Sequence, residues 1–190
     1  MSDEENFYLH GTVNKQNFRY WSAANPHELH QRPTYDPKVT VSYAVWSRGV
    51  TGPSFFEDED GKAITVTSQH FTEMINEFLS PNIPPNNGTL WFQQDDVTAH
   101  TSVISIAALR RLFPQGVISH FGDVLWPPRS QDLTAPDFFL WGHLKSKVYS
   151  NRSTELHALK ENIKRRNRQI FRRDTSSRYV QLRNSCAPVH

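Results

Sequence analysis

The stretch LWFQQDDVTAHTSVISIAALRRLFPQGVISH, residues 90–120, decides the fold. Its opening residues Leu90, Trp91 and Phe92 make a short apolar run of the kind carried by a buried strand, and Asp95 stands at the end of that run. Val103, Ile106, Ala107 and Leu109 then recur at helical spacing, which predicts a helix over residues 99–113. A second short strand is predicted over residues 117–120. Strand, helix and strand in this order predict a parallel pair joined by a crossover helix.

Upstream the pattern is different. Residues 6–13 and 39–46 alternate apolar and polar side chains, and Gly49 and Gly52 punctuate a hairpin-like return into residues 54–57. Antiparallel pairing follows. Residues 14–38 lie between the first two strands and hold Trp21, Pro26, Pro33 and Pro37, an excursion too long for a simple turn. The acidic tip at residues 57–61 reads as a solvated loop. Thr67 or Ser68 caps a helix over residues 69–79, whose Phe71, Ile75, Phe78 and Leu79 share one face. Downstream, a loop rich in Pro, Arg and Ser leads to a helix over residues 136–149 and a basic helix over residues 154–172. The expected class is α/β, with a mixed central sheet of three antiparallel strands followed by two parallel ones, flanked by helices.

At 190 residues and 22.0 kDa the chain has room for one domain, which we place at residues 1–172, with a basic tail at 173–190 expected to be poorly ordered. Its 37% hydrophobic content and 12% aromatic content suit a packed core. Cys186 is the only cysteine, which excludes an internal disulfide and a zinc site built on several cysteines. His27 and His30 have no further ligand types grouped beside them, so they do not read as a zinc site. No apolar run reaches the roughly 18 residues of a membrane span, so no membrane partner is expected, and the first residues lack the order of a signal peptide. An intracellular protein is expected. The formal charge of +2 conceals two opposed parts: residues 1–140 hold 9 Lys and Arg against 16 Asp and Glu, and residues 141–190 hold 12 against 3. A basic end of this kind suits phosphates, although a solvated helix face has the same composition.

Three aspartates fall at element ends. Asp95 closes the strand at residues 90–94, Asp137 opens the helix after the proline loop, and Asp3 sits just ahead of the first predicted strand. Two ionised carboxylates about 4 Å apart repel by roughly 4 kcal/mol at an effective dielectric of 20, so a converging cluster needs protons or hard cations. Each also has a plainer reading. Thr134 and Asp137 fit a capping box, Asp95 can tie down the next turn, and Asp3 can belong to a frayed end. His100 reads as a capping or packing residue, or as one that contacts DNA or tunes the site.

The surrounding words narrow the choice. Residues 91–95 (WFQQD), then Ala99-His100-Thr101, residues 126–130 (WPPRS), Asp132-Leu133 and residues 136–142 (PDFFLWG) together resemble the catalytic domain of mariner-like transposases, the DDE/D group. Ser2-Asp3-Glu4 is similar to the first-strand motif of that group. The resemblance runs from Asp3 to about Ile170. It implies a ribonuclease H-like fold, two Mg²⁺ or Mn²⁺ ions, DNA as partner, a nuclear location and a homodimer clasped by an excursion like residues 21–33. It also implies Asp3, Asp95 and Asp137 as the metal ligands and catalytic residues, with Asp132 a structural loop residue. No small-molecule cofactor is implied. Phosphate contacts are expected from Arg129, Lys145, Lys147, Lys164, Arg165 and Arg168. The alternative is a non-catalytic remnant that binds nucleic acid or protein through the basic helix.

Some residues depart from the family. Asp96 stands where Gly is usual and Gln131 where Pro is usual, and Tyr43-Ala44 differs from the commoner Trp and Gly strand. The resemblance implies helix-turn-helix modules ahead of the catalytic domain, which are expected to be absent from this chain, and Met1 and Ser2 are a short lead into Asp3. The expectation is therefore a truncated first strand, a poorly fixed Asp3 and weak or lost catalysis.

Overall fold

The computed structural model describes residues 1–11, 36–46, 49–83, 90–127 and 133–173. Strands β1 (Ser2–Tyr8), β2 (Lys38–Trp46) and β3 (Gly49–Phe56) form an antiparallel sheet in the order β1-β2-β3. Helix α1 (Ser68–Met74) continues through a wider π turn at Ile75–Leu79 and a 3₁₀ turn at Ser80–Asn82. Then come β4 (Phe92–Gln93), α2 (Thr98–Thr101), α3 (Val103–Leu112), β5 (Val117–Ser119) and β6 (Val124–Leu125). A π turn at Pro136–Leu140 opens α4 (Trp141–Val148), and α5 is Leu156–Arg173. β4, β5 and β6 pair in parallel as a second group. The mixed α/β class expected from the sequence is the one observed.

Alternation builds the layers. Asp3, Tyr43, Phe7 and Val39 occupy one face of the β1–β2 ladder, where Asp3 stands opposite Tyr43 and Phe7 opposite Val39. With Val41 they meet Leu140 at the end of the second π turn, Trp141, Leu144 and Val148 of α4, and Leu159 and Ile163 of α5. Apolar burial of this kind is worth about 25 cal/mol per Å² removed from water. The opposite face of the same ladder is polar. Thr40 Oγ1 donates to Asn6 Oδ1 at 2.8 Å and Ser42 Oγ to Glu4 Oε1 at 2.9 Å, which satisfies hydroxyls that burial leaves 6% and 1% exposed. A second core joins Phe56, Phe71, Ile75, Phe92, Leu109 and Val117 beneath α1 and α3. Asp3 is therefore a carboxyl on the apolar face, and Glu4 belongs to the polar one.

The elements differ from expectation at several points. The first strand begins at Ser2 and ends at Tyr8, not residues 6–13, and the charged run Asp3-Glu4-Glu5 lies inside it. Asp3 is accordingly held in a ladder, with Val45 N donating to Met1 O at 2.7 Å just before it, and the expectation of an unfixed residue is corrected. Gly49 and Gly52 lie within β3 rather than in its turn. Gly52 has φ +151 beside the register shift between Ser42 and Ala44, and a Cβ there would meet the Tyr43 ring at 2.3 Å. The helix over residues 99–113 divides at Ser102, whose extended backbone ends α2 and whose hydroxyl accepts from Ser105 N at 3.3 Å to cap α3. The parallel group has three strands, not two. Gly122 makes the third possible: a Cβ would lie 2.3 Å from Val117 O, so only glycine lets the loop between β5 and β6 close so tightly.

The cap of α1 is Thr67, whose side chain accepts from His70 N, as the sequence indicates. The acidic tip is solvated as expected, with residues 57–60 exposed, and Lys160 tethers its two ends by pairing with Glu57 and donating to Gly61 O at 2.6 Å. No helix among the described residues is long and apolar enough to cross a membrane. Residues 14–35 of the excursion, with His27 and His30, lie outside the described residues, as do Arg129, Asp132 and residues 174–190 of the tail.

Candidate active site

The first carboxyl comes from β1. Asp3 is 8% exposed, and its Oδ2 accepts from Trp141 Nε1 at 2.6 Å. Trp141 is fixed in turn, edge-on to Tyr43 with ring centroids 5.6 Å apart and edge-on to Phe7 at 6.4 Å. Burial pushes the Asp3 carboxyl up to about 8 against the lowering hydrogen bond from Trp141, and the negative charges of Glu4 and Asp137 push the same way as burial.

The third acid reaches the same helix by another route. Asp137 is the second residue of the π turn, in which Trp141 N–H donates to Pro136 O, a wider span than the α-helical one. The turn's first residue, Pro136, has no N–H to lose, which suits a helix start. The expected Thr134 cap is not formed, since Ala135 occupies the cap position without a side-chain bond. Asp137 is exposed, yet its carboxyl is held above its ordinary value by partial burial and then by the charges of Glu5 and Asp95, with Lys145 opposing.

Asp95 follows β4 and is held by two donors on one oxygen. Val97 N donates to Oδ1 at 3.2 Å, the turn-fixing bond its position suggests, and His100 Nδ1 lies 2.6 Å from the same atom. The other ring nitrogen of His100, Nε2, is 2.6 Å from Glu4 Oε2. His100 is 1% exposed and packs its ring on Phe71 at 4.3 Å. Burial works against a charge on this imidazole, but the hydrogen bonds and charges of Asp95 and Glu4 lift it to about 10, so it is an imidazolium donating to both. The same contact holds Asp95 below its ordinary value in spite of burial. Sequence reasoning named His100 as a packing or tuning residue and missed Glu4 as its partner. The signal was only the five-residue step from Asp95 to His100, because Glu4 is 96 positions away.

After burial and the nearer acids Glu4 and Glu5, Asp137 adds to the rise at Asp3 and Asp95 adds to the rise at Asp137. Among the described residues no three His, Cys, Asp or Glu side chains stand together closely enough to hold an ion. The donor chemistry still fits a hard divalent cation. It is all carboxylate oxygen, two of the three carboxyls are raised by burial and then by neighbouring negative charge, and Asp95 Oδ2 carries no hydrogen bond among the described residues. Asp96 faces outward toward His120, 3.9 Å away, and does not join the other three.

The basic residues divide. Lys145 is half-buried and pairs with Glu5 at 3.0 Å, and Lys164 pairs with Glu161 at 2.9 Å. Arg165 is exposed, with one bond to Asn162 Oδ1 at 2.9 Å, and Lys147 and Arg168 are exposed. Leu140, Trp141, Leu144 and Val148 are core, with Phe139 packed against them.

A scan of protein-family models and a search of the curated proteins gave no match. Similar solved structures include two. One is the Mos1 transposase paired-end complex with left transposon end, at TM-score 0.61 and 17% identity over 91% of this chain. The other is the Mos1 mariner paired-end complex with Mn, at TM-score 0.63 and 15% identity over 91% of this chain. In both the chain spans 47% of the transposase, about half its length. The chain therefore has a mixed α/β, ribonuclease H-like fold of the kind found in the Mos1 mariner transposase.

Proposed function

We propose that this chain is a transposon-derived DNA-processing domain whose chemistry is metal-dependent cleavage and transfer of DNA strands, with catalysis weak in this sequence. What supports the reading is that Asp3 lies in β1, Asp95 just after β4 and Asp137 in the π turn that opens α4, on a fold shared with a transposase solved with DNA and with Mn. Asp3, Asp95 and Asp137 would hold two Mg²⁺ or Mn²⁺ ions, which when bound supply charge neutralisation and water activation for phosphodiester cleavage. The residues of the chain do the rest. Trp141 fixes one oxygen of Asp3, Val97 and His100 fix one oxygen of Asp95, and the π turn aims Asp137. Lys147, Arg165 and Arg168 are exposed for phosphate contact, and Arg129, Lys145 and Lys164 complete the expected DNA-facing set, the last two after leaving their carboxylates. Water cuts one strand by breaking a phosphodiester P–O bond. The freed 3′-hydroxyl then attacks a target phosphorus, forming one P–O bond as another breaks.

Two copies acting together in the nucleus complete the reading. Its test is plasmid nicking in Mg²⁺ or Mn²⁺, with EDTA as control. Nicking by the wild type and none by Asp95→Ala is expected. Equal activity in the two removes the assignment.

The separation of the acids favours a second reading, a non-catalytic nucleic-acid or protein-binding remnant that uses α5. Binding to unrelated DNA in EDTA that weakens steeply with salt, without any nicking in Mn²⁺, selects it.

A further inference from the structure

We propose that Glu4 and His100 are positioning residues that carry the placement of β1 across to the carboxylate of Asp95, an inference that rests on the nuclease reading for its purpose but not for its geometry. Among the described residues, backbone ladders join strands only within β1-β2-β3 and within β4-β5-β6. Near the site the two groups are connected by side chains instead. Ser42 Oγ on β2 donates to Glu4 Oε1 at 2.9 Å, Glu4 Oε2 takes His100 Nε2 at 2.6 Å, and His100 Nδ1 reaches Asp95 Oδ1 at 2.6 Å.

Every link is restrained from elsewhere. Glu4 lies in the β1–β2 ladder opposite Ser42, and the His100 ring packs against Phe71 at a tilt of 38°. The carbonyl of His100 accepts from Gln94 Nε2 at 2.9 Å, and that amide also donates to Ser119 Oγ at 3.0 Å on β5. The chain of contacts therefore runs from the middle of one sheet to the middle of the other. Its last atom is one oxygen of Asp95, and the second oxygen is left without a described partner. Groups that orient a ligating carboxylate in this way typically change metal affinity by about 10- to 100-fold when removed.

A plain stabilising contact would act on the fold at large, whereas this one acts on the turn that bears Asp95. The readout is amide hydrogen exchange by NMR on the metal-free full chain, at Val97, whose N–H donates to Asp95 Oδ1. Glu4→Ala is expected to lower Val97 protection by about tenfold or more and to leave the buried Leu109 and Ile163 amides within about twofold. Glu4→Gln keeps an oxygen that can accept from Nε2–H, and it is expected to retain most of the protection. Unchanged protection in Glu4→Ala overturns the proposal. So does equal loss in both variants, or a loss at Leu109 as large as that at Val97. Mn²⁺ titration followed by the EPR signal of the free ion is the second arm, with affinity about tenfold weaker in Glu4→Ala and recovered in Glu4→Gln. A wild type that takes up no Mn²⁺ defeats the nuclease reading, while the exchange data still judge the bridge.

Discussion

Replacing Asp3 by Asn is expected to stabilise the protein, by an amount that depends on pH. The variant keeps the side chain's size and an oxygen for the Trp141 N–H, and it removes a carboxyl buried on the apolar face of β1. In the folded chain that carboxyl keeps its proton up to about 8, whereas its ordinary value is 3.8. Between these values the folded state binds the extra proton, so wild-type stability falls as pH rises through the window and is fully reduced above about 8. At about 1.4 kcal/mol for each tenfold change, the full loss is on the order of 5 kcal/mol. The Asn variant lacks this loss. Urea unfolding of both chains from about pH 4 to about pH 9 measures the difference, in which the other titrating groups largely cancel. The gap should be smallest near pH 4 and reach several kcal/mol near pH 9. A gap that stays flat with pH refutes the reasoning, and so does an Asn variant less stable than wild type at the alkaline end. Mn²⁺ at about 100 times its dissociation constant should return about 2.7 kcal/mol to the wild type at high pH, and less to Asp3→Asn.

Other outcomes follow from single contacts. Trp141→Phe keeps a ring but removes the donor to Asp3, and should cost about 1–3 kcal/mol in the same urea series. Gly122→Ala places a Cβ against Val117 O and Ser119 N, and should lower stability by about 1–3 kcal/mol or more in thermal melts. Thr67→Ala removes the cap of α1 and should cost about 1 kcal/mol. Lys147→Ala and Arg168→Ala should each reduce the slope of log affinity for unrelated DNA against log salt by about 0.9, measured by fluorescence anisotropy, with melting unchanged.

Where side chains obey a local period, the sequence was legible. Val39, Val41 and Tyr43 mark β2 by alternation, Phe71 and Ile75 mark α1 by helical spacing, and Thr67 marks its start. The start of β1 was hidden because Asp3, Glu4 and Glu5 form a charged run, and their partners Trp141, His100 and Lys145 are all distant in sequence. Two-residue β6 was hidden for a related reason. It pairs because Gly122 permits a close approach of backbones, and nothing in Val124-Leu125 itself reports this. Of the site, the positions of Asp95 and Asp137 at element ends were readable, because β4 and the π turn are local features. The attachment of Asp95 to Glu4 through an imidazole was not, since hydrogen bonding over 96 positions leaves no periodic trace.

The π turn at Pro136–Leu140 makes Asp137 more vulnerable to a length change than to many substitutions. An α-helix advances about 100° per residue, so losing one residue from that turn would restore ordinary winding while Trp141, Leu144 and Val148 kept their seats in the core. The fold would survive such a deletion almost intact, yet the acid would swing by about a quarter of a circle, away from Asp3. Under the nuclease reading, a single in-frame codon loss would thus silence this domain without leaving a misfolded product behind.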